Sequence, residues 1–212
     1  MFYKYYSVND YSEKVLETGD VWTSSPKEFN DPFDSLVTLN FNKVGIKELF
    51  VEWASEKSIC CFSRNFRNIL MWSHYADNHR GFCIGIDNPE IEDSDIFSNV
   101  VYSQSFLEFD DEEKFLKHSS GRINKNWRKI LTHKSLDWSY EEEVRLILEL
   151  GDSCSMGKTF NIGKESITKV FFGLCMSEND KILIKNIMKE RRCDFYQMEL
   201  SNSSFSLEAK IL

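Results

Sequence analysis

Apolar and polar side chains alternate in short runs along this chain, and most of the runs have the period of two that is typical of a β-strand. Turn-forming residues separate one run from the next. The alternation predicts strands over 2–6, 21–23, 58–63, 82–87, 100–102, 138–148, 167–173, 195–200 and 205–212. We therefore expect one mixed, largely antiparallel sheet.

Other segments have the apolar spacing of a helix. The predicted helices cover 10–16, 43–56, 69–76 and 180–192, and the charged segment 108–134 is mostly helical. Asp10 is the expected cap of the first helix, which ends at Gly19, and Gly81 is the expected C-terminal cap of the third. The pattern predicts an α+β fold: a single domain over 1–212 whose mostly antiparallel mixed sheet, continuous or split, is flanked by helices.

The composition is that of an ordered globular protein. Aromatic residues make up 14% of the 212 residues, against 9 Gly and 3 Pro, so we expect a packed aromatic core. The formal net charge of -8 repels nucleic acids and anionic membranes at long range. A basic stretch around Trp127 could override this locally, or could be an ordinary solvated helix face. It contains Arg122, Lys125, Arg128, Lys129 and Lys134.

The six cysteines form no Cys-x-x-Cys pair, and the adjacent Cys60 and Cys61 point to opposite faces of a strand. We therefore expect neither a zinc site nor a disulfide framework. The first residues lack the charged and apolar regions of a signal peptide, and no segment has 18 apolar residues. The expectation is a cytoplasmic protein without membrane contact.

The strand predicted over 138–148 has one apolar face and one ionic face. The side chains on the apolar face are Trp138, Tyr140, Val144, Leu146 and Leu148, and Glu142 is the one polar residue among them. Glu141, Glu143 and Arg145 share the other side. A strand interior normally avoids glutamate, so this row indicates either a solvated sheet surface or a functional cleft.

The loop over 30–34 places an amide and two carboxylates together, on Asn30, Asp31 and Asp34. Such a set could bind a cation or orient a ribose, although Asn-Asp-Pro is also ordinary turn chemistry. Lys134 could bring a further cation to the ionic strand, or could simply end a helix.

In the helix predicted over 69–76, His74 and Tyr75 are adjacent at the end of an apolar stripe. Such a stripe is usually core, but a buried tyrosine hydroxyl needs a partner. No nucleophile elbow, zinc-protease motif, phosphate-binding loop or dinucleotide fingerprint occurs in the sequence. Common hydrolase and nucleotide-fold interpretations are therefore disfavoured.

Nine short motifs follow one another along the chain. They are Tyr3-Lys4-Tyr5, Asn30-Asp31-Pro32-Phe33-Asp34, Cys61-Phe62-Ser63, Met71-Trp72-Ser73-His74-Tyr75-Ala76, Gly81-Phe82, Tyr102, Lys134 with Trp138, Glu141-x-Glu143-x-Arg145, and Phe171-Phe172-Gly173. In this order they resemble a bacterial family of unknown function, domain of unknown function 2971. The resemblance covers nearly the whole chain, but it brings little settled biochemistry.

A second, more distant resemblance is to ADP-ribosyltransferases. Those enzymes bind NAD in a cleft of a split sheet through a basic residue on the first strand, a mid-chain aromatic residue that stacks on the nicotinamide, and a late glutamate. The similar positions here are Lys4 or Tyr5, Tyr75 and Glu143. Cleavage of the glycosidic bond gives the ribose oxocarbenium character, which a nearby carboxylate stabilises.

This resemblance implies a set of site residues. The expected catalytic residues are Tyr75, Glu141 and Glu143. The expected ligand-binding residues are Lys4, Tyr5, Asn30, Asp31, Ser63, Trp72, His74, Lys134 and Arg145. Ser63 is expected near the nicotinamide, and Arg145 or Lys134 at the pyrophosphate. NAD is then a substrate, no metal is expected, and the acceptor of the ADP-ribosyl group, a protein or a nucleic acid, stays open.

Three functions remain open from the sequence. The first is ADP-ribosyl transfer or glycohydrolysis on a nucleotide-type ligand such as NAD, which would suit a toxin or a phage-defence effector. The second is a non-catalytic module for ligand sensing or protein binding, in which the Glu-x-Glu-x-Arg row pairs with Lys4 and Lys134. The third is a metal-dependent nuclease that uses Asp31, Asp34, Glu141 and Glu143 with Lys134. The oligomeric state is also open.

Overall fold

A computed structural model describes residues 1–35, 44–92, 94–107, 125–150 and 157–212 of the chain. Its helices are α1 (Asp10–Thr18), α2 (Val44–Ser55), α3 (Ile69–Tyr75), α4 (Pro89–Glu92), α5 (Lys125–Leu131) and α6 (Glu178–Met188). Short 3-10 helices cover Pro26–Glu28, Leu136–Glu141 and Lys164–Ser166. None of the helices in these ranges has the length and apolar composition that would let it span a bilayer.

The strands are β1 (Phe2–Tyr6), β2 (Asp20–Ser24), β3 (Lys57–Ser63), β4 (Phe82–Ile86), β5 (Phe97–Asn99), β6 (Val101–Ser103), β7 (His133–Ser135), β8 (Glu143–Glu149), β9 (Gly157–Asn161), β10 (Ile167–Phe172), β11 (Asp194–Leu200) and β12 (Leu207–Ile211). One sheet has the order β12-β11-β10-β4-β1-β3-β2-β9, with β8 beside β3 and β5 beside β8. Within it β10 and β11 are parallel and the other pairs antiparallel, and β6 and β7 form a separate parallel pair. The predicted α+β class with a mostly antiparallel mixed sheet is confirmed.

The sheet splits at β3, because two strands share one of its edges. Ser63, at one end of β3, pairs with Tyr3 of β1, while Ile59 pairs with Ser24 of β2. The opposite edge of β3 pairs with β8 along its whole length. Between β1 and β2 the β3 backbone is left open near Cys61, and the gap opens into the site described below.

Helices cover both faces of this sheet. α1 and α6 pack on one face, where Leu16 and Ile184 are fully buried in the largest apolar cluster. α3 packs on the other face through the buried indole of Trp72, and α2 and α5 surround Ile59 on that same face. Burial of this apolar surface, at about 25 cal/mol per Å², is the main stabilising contribution to the fold.

The segment over 138–148, predicted as one strand, contains the end of a 3-10 helix followed by a strand. Residues Leu136–Glu141 form a 3-10 helix, and Glu142 ends it with φ 45° in the left-handed region. β8 therefore begins only at Glu143, and the strand prediction was wrong for the first part of the segment. Glu143 and Arg145 do share one face, as predicted, whereas Glu141 approaches them from the 3-10 helix.

Several smaller predictions need correction. Asn9, not Asp10, caps α1, because its side chain accepts a hydrogen bond from Ser12 N. Ala76 is the C-cap of α3, and the next residues, Asp77, Asn78 and His79, have positive φ, whereas Gly81 does not, so Gly81 is not a left-handed cap.

The charged segment 108–134 is only partly helical in the described residues. Its part 108–124 lies outside them, and Lys134 is in β7 instead of at a helix end. The basic stretch is also not a continuous surface, because Lys134 is buried and Arg128 donates hydrogen bonds to Ser98 Oγ and Phe97 O.

Gly81 and Gly173 lie where two backbone segments meet. Gly173 N donates to Gly81 O at 2.9 Å. A Cβ built on Gly173 would lie 2.2 Å from the carbonyl oxygen of His79 and 2.7 Å from that of Gly81. Only glycine fits at position 173 without a backbone shift.

We expect Gly173→Ala to lower the free energy of unfolding by about 1–3 kcal/mol, because backbone atoms cannot move aside as a side chain can. Urea denaturation of the full chain measures this. Gly85→Ala is the matched control, since the nearest atom to its added Cβ is a carbon at 3.0 Å, Lys169 Cβ, whereas the Cβ added at Gly173 meets a backbone oxygen at 2.2 Å. If the free energy of unfolding fell equally in the two variants, the role given to the Gly81–Gly173 contact would be contradicted.

Candidate functional site

A cavity of about 370 Å³ lies beside the split of the sheet, on the face that α3 covers. Strands β1 and β3 form its floor, and α3, the segment after β2, β7 and the turn into β8 form its walls. It is lined by Tyr3, Lys4, Tyr5, Glu28, Phe29, Asn30, Asp34, Cys61, Phe62, Ser63, Met71, Tyr75, Lys134, Glu141 and Glu143. Folding thus brings residues from distant parts of the sequence into one concave surface.

Lys134 is the centre of the polar wall. Its Nζ lies 2.5 Å from Glu141 Oε2, 3.3 Å from Glu143 Oε2 and 3.6 Å from Asp34 Oδ2. The ammonium also lies 4.9 Å from the ring centroid of Trp138. Burial opposes the charge of Lys134, but the neighbouring carboxylates outweigh it and raise its pKa above the ordinary value.

Arg145 lies beneath the carboxylates of Asp34 and Glu143 and completes an ion-pair network with Lys134; its side chain is 0% exposed. Its guanidinium binds both oxygens of Asp34, at 2.7 and 2.5 Å, and both oxygens of Glu143, at 2.8 and 3.0 Å. It also donates to Ser35 Oγ and to Leu131 O. Because this guanidinium is buried and its donors are in use, the arrangement disfavours Arg145 as a contact of the pyrophosphate for which Arg145 or Lys134 was expected.

Tyr75 connects α3 to the network. Its hydroxyl donates to Glu141 Oε1 at 2.6 Å, and the side chain of Asn30 is near the same hydroxyl. Burial and the bond to Glu141 raise the pKa of Tyr75, so the phenol stays protonated and acts as a donor. The hydroxyl at the end of the predicted aromatic stripe therefore has the partner that its burial requires.

Glu141 and Glu143 have pKa values that move in opposite directions. Burial raises the pKa of Glu141 above 4.5, despite the opposing charge and hydrogen bond of Lys134. Burial would also raise the pKa of Glu143, but the charge and hydrogen bonds of Arg145 and the charge of Lys134 lower it to about 2. Glu143 is therefore the carboxylate of the site that stays ionised well below neutral pH, and Glu141 is the one that takes up a proton more readily.

Lys4 occupies the gap between β1 and β2. Its Nζ donates to the Cys61 carbonyl oxygen at 2.9 Å, which satisfies a backbone group that the split leaves open. In the described part of the chain no carboxylate pairs with Lys4, so the predicted pairing of this lysine with the Glu-x-Glu-x-Arg row is not observed. Lys4 also lines a second cavity of about 420 Å³, together with Tyr11 and Trp22.

Eight of the twelve residues expected at the site line the first cavity. They are Lys4, Tyr5, Asn30, Ser63, Tyr75, Lys134, Glu141 and Glu143. Ser63 belongs to its floor, but its hydroxyl donates to Glu141 O at 2.6 Å and so fixes the 3-10 helix to β3.

The other four expected residues do not line the cavity. Asp31 accepts from Phe33 N and so stabilises its own turn. Trp72 is fully buried and donates to Phe66 O, which makes it a core residue. His74 is exposed beside the ring of Tyr140, and Arg145 lies beneath the carboxylates.

Several lining residues were not predicted as ligand contacts. Glu28 and Phe29 lie in and just after the 3-10 helix at Pro26–Glu28, where the sequence shows only a Ser-Pro turn. Asp34 was predicted, with Asn30 and Asp31, to bind a cation or to orient a ribose, but its carboxylate instead joins Arg145 to the loop.

The arrangement does not favour a metal-dependent nuclease. The carboxylates of Asp34, Glu141 and Glu143 are already held by Lys134 and Arg145. Within the described ranges no group of three or more His, Cys, Asp or Glu side chains is placed to hold a metal ion.

One family model matches the chain, over residues 71–146: Protein of unknown function (DUF2971). The predicted resemblance to this family is therefore confirmed over that segment, which runs from α3 into β8 and carries Tyr75, Lys134, Glu141, Glu143 and Arg145. No curated protein matches the chain, and no solved structure matches it. The family match says nothing about an activity, and the likeness to ADP-ribosyltransferases stays a prediction.

We expect acid to destabilise the fold through Glu143. Its folded-state pKa, about 2, lies below the ordinary 4.5, so its ionised form stabilises the fold at neutral pH. That contribution is lost as the pH falls from about 4.5 through about 2. Glu143→Gln removes it, so urea denaturation at pH 7 and pH 3 should give a smaller difference for the variant than for the wild type. Glu142→Gln, on the exposed neighbour, should behave as the wild type.

Proposed function

We propose that this chain cleaves the N-glycosidic bond of a nucleotide whose base is a cation, with NAD as the substrate. The observation that carries the proposal is the pair Glu141 and Glu143 on one wall of an aromatic cavity, with pKa values that burial and Arg145 move apart. Two carboxylates in one site that differ in this way can take two roles in glycosidic cleavage.

The charge of the cavity favours a cationic base. Its lining has four carboxylates, on Glu28, Asp34, Glu141 and Glu143, against the ammonium groups of Lys4 and Lys134 and the guanidinium of Arg145 beneath them, which leaves one negative charge in excess. Aromatic rings of Tyr3, Tyr5, Phe29 and Tyr75 complete the walls, and the faces of such rings attract cations. The nicotinamide ring of NAD is a pyridinium, which combines a flat apolar surface with a positive charge.

The two glutamates have different tasks in this proposal. As the bond between the pyridinium nitrogen and ribose C1′ breaks, its electron pair goes to the nitrogen, and nicotinamide leaves neutral without needing a proton. The positive charge moves to the ribose, where ionised Glu143 stabilises it. Glu141, whose pKa is raised, accepts a proton from the attacking water while the water oxygen bonds to C1′, which gives ADP-ribose.

The size of the cavity limits how much of the ligand it holds. A volume of about 370 Å³ is at the lower end of the range for small-molecule sites, enough for the nicotinamide and its ribose. The phosphates would then lie near Lys4, the one lining cation whose ammonium has no carboxylate partner in the described residues. The exposed indole of Trp22 in the second cavity offers a stacking surface for the adenine.

Water is one acceptor of the ADP-ribosyl group, and a side chain or a nucleotide of another molecule is the alternative. Either reaction consumes NAD, which would suit a toxin or a phage-defence effector. Hydrolysis is the form to test first, because it requires no knowledge of the acceptor.

Incubation of the purified chain with NAD should release nicotinamide, and Glu143→Gln should lower the rate by about 10² because it removes the charge beside the developing cation. Glu142→Gln is the matched control: it makes the same chemical change one residue away, on an exposed side chain. Nicotinamide is quantified by chromatography, and a thermal melt of each variant establishes that it is folded. A Glu143→Gln variant as active as the control would remove Glu143 from the mechanism.

The chain should also prefer the cationic form of the ligand. A carbocyclic NAD analogue resists cleavage, so its dissociation constant can be measured by calorimetry beside that of its neutral dihydro form. We expect the cationic form to bind about tenfold more tightly, and Glu143→Gln to reduce the difference, because the variant lowers the negative charge of the cavity by one. Equal affinities, or tighter binding of the neutral form, would contradict the charge argument.

A non-catalytic ligand-binding module is the second candidate. The observation that favours it is that Asp34, Glu141 and Glu143 are all paired with Lys134 or Arg145, as in a purely structural ion network. The two experiments above separate the candidates. Binding of the cationic analogue without any release of nicotinamide from NAD would support the module and overturn the enzyme.

A further inference from the structure

β12 is the last strand on one side of the sheet, and its outer edge pairs with no strand in the described part of the chain. The contacts with β11 fix which backbone groups face outward. Leu212 N donates to Phe195 O, and Ser201 N donates to Ser206 O. In an antiparallel pair the hydrogen-bonded positions alternate, so Leu207, Ala209 and Ile211 turn their backbone N–H and C=O groups away from β11.

We propose that this edge pairs with the same edge of a second copy of the chain, antiparallel and about a two-fold axis at Ala209. In that register Ala209 faces Ala209 of the partner subunit, and Leu207 faces Ile211 of the partner subunit. All of these positions have outward-facing backbone groups, so the pairing forms about six hydrogen bonds without any shift of β12. A two-fold interface of this kind is self-complementary by construction.

The charges of β12 match in this register. Glu208 faces Lys210 of the partner subunit, and Lys210 faces the partner's Glu208, at the positions where side chains of paired strands come closest. Within one subunit Glu208 instead lies opposite Glu199, a like charge. The ammonium of Lys210 is 3.4 Å from Glu199, and no cation in the described residues pairs with Glu208. A second copy supplies the missing cation.

Exposed apolar side chains near this edge also favour a second copy of the chain as the partner. Leu200 and Ile211 lie on one face of the β11–β12 pair and are 67% and 65% exposed. The neighbouring Leu207 on that face is buried in the core cluster that contains Trp72. Pairing with a second copy places Ile211 against the partner's Leu207 and continues this apolar surface across the axis. Large exposed apolar side chains beside an open strand edge are otherwise a liability for aggregation.

The experiment is a charge swap, read by sedimentation equilibrium on the full chain at concentrations well above the micromolar range. The wild type should have twice the monomer mass. In Lys210→Glu, a glutamate faces a glutamate of the partner subunit on each side of the two-fold axis. In Glu208→Lys, a lysine faces a lysine at the same two places. Each single variant should therefore be monomeric. The double variant, with both changes, restores opposite charges and should be a dimer again.

Lys189→Glu is the matched control, because it makes the same charge reversal on an exposed residue just after α6, and it should stay dimeric. Thermal melts of all variants establish that the fold is intact; the three substituted side chains are exposed, so unfolding is not expected. A monomeric wild type would overturn the proposal. So would a dimer that persists in both single variants, or a double variant that stays monomeric.

Discussion

The buried guanidinium of Arg145 is the interaction on which the site depends. It binds both oxygens of Asp34 and both oxygens of Glu143, and so joins the loop after Pro26–Glu28 to β8. Such a group has a large desolvation penalty, which only complete pairing offsets, and loss of one partner of a buried pair typically costs about 3–5 kcal/mol. The Asp34 loop, Glu143 and the ammonium of Lys134 are therefore coupled and hold their positions together.

This coupling also makes the two glutamates different. Glu143 lies against the guanidinium and remains ionised at neutral pH, whereas the Glu141 carboxylate pairs, in the part of the chain that the structure describes, with Lys134 and Tyr75 alone. With three carboxylates and two cations in the network, one negative charge is left over when all five groups are ionised. A proton on Glu141 or a cationic ligand in the cavity relieves that excess. The site therefore has a physical reason to bind a cation whether or not it performs chemistry.

Local patterns predicted most of the fold but only part of the site. Alternation placed Glu143 and Arg145 on one face, because period two is a property of the strand itself. The same pattern failed at Glu141, where the left-handed conformation of Glu142 breaks the strand, a turn that three successive glutamates do not signal. No sequence spacing could show that Asp34 meets Arg145, since that contact depends on the tertiary path of the loop. Trp72 and His74 were grouped with Tyr75 by proximity in sequence, but of these three side chains only that of Tyr75 lines the cavity.

The first cavity and the gap at the split of the sheet differ in charge. On the α3 side of the gap the first cavity is rich in carboxylates, while the gap itself holds Lys4, whose ammonium is neutralised by no carboxylate in the described residues. Because both regions are partly shielded from water, the attraction of opposite charges is stronger there than at an open surface. Under the proposed function, these charges would orient a ligand with a cationic ring at one end and phosphates at the other across the gap, with its glycosidic bond on the side of Glu143. A fully anionic ligand would be repelled by the first cavity, so the same charges that orient a dipolar ligand select against a simple nucleotide.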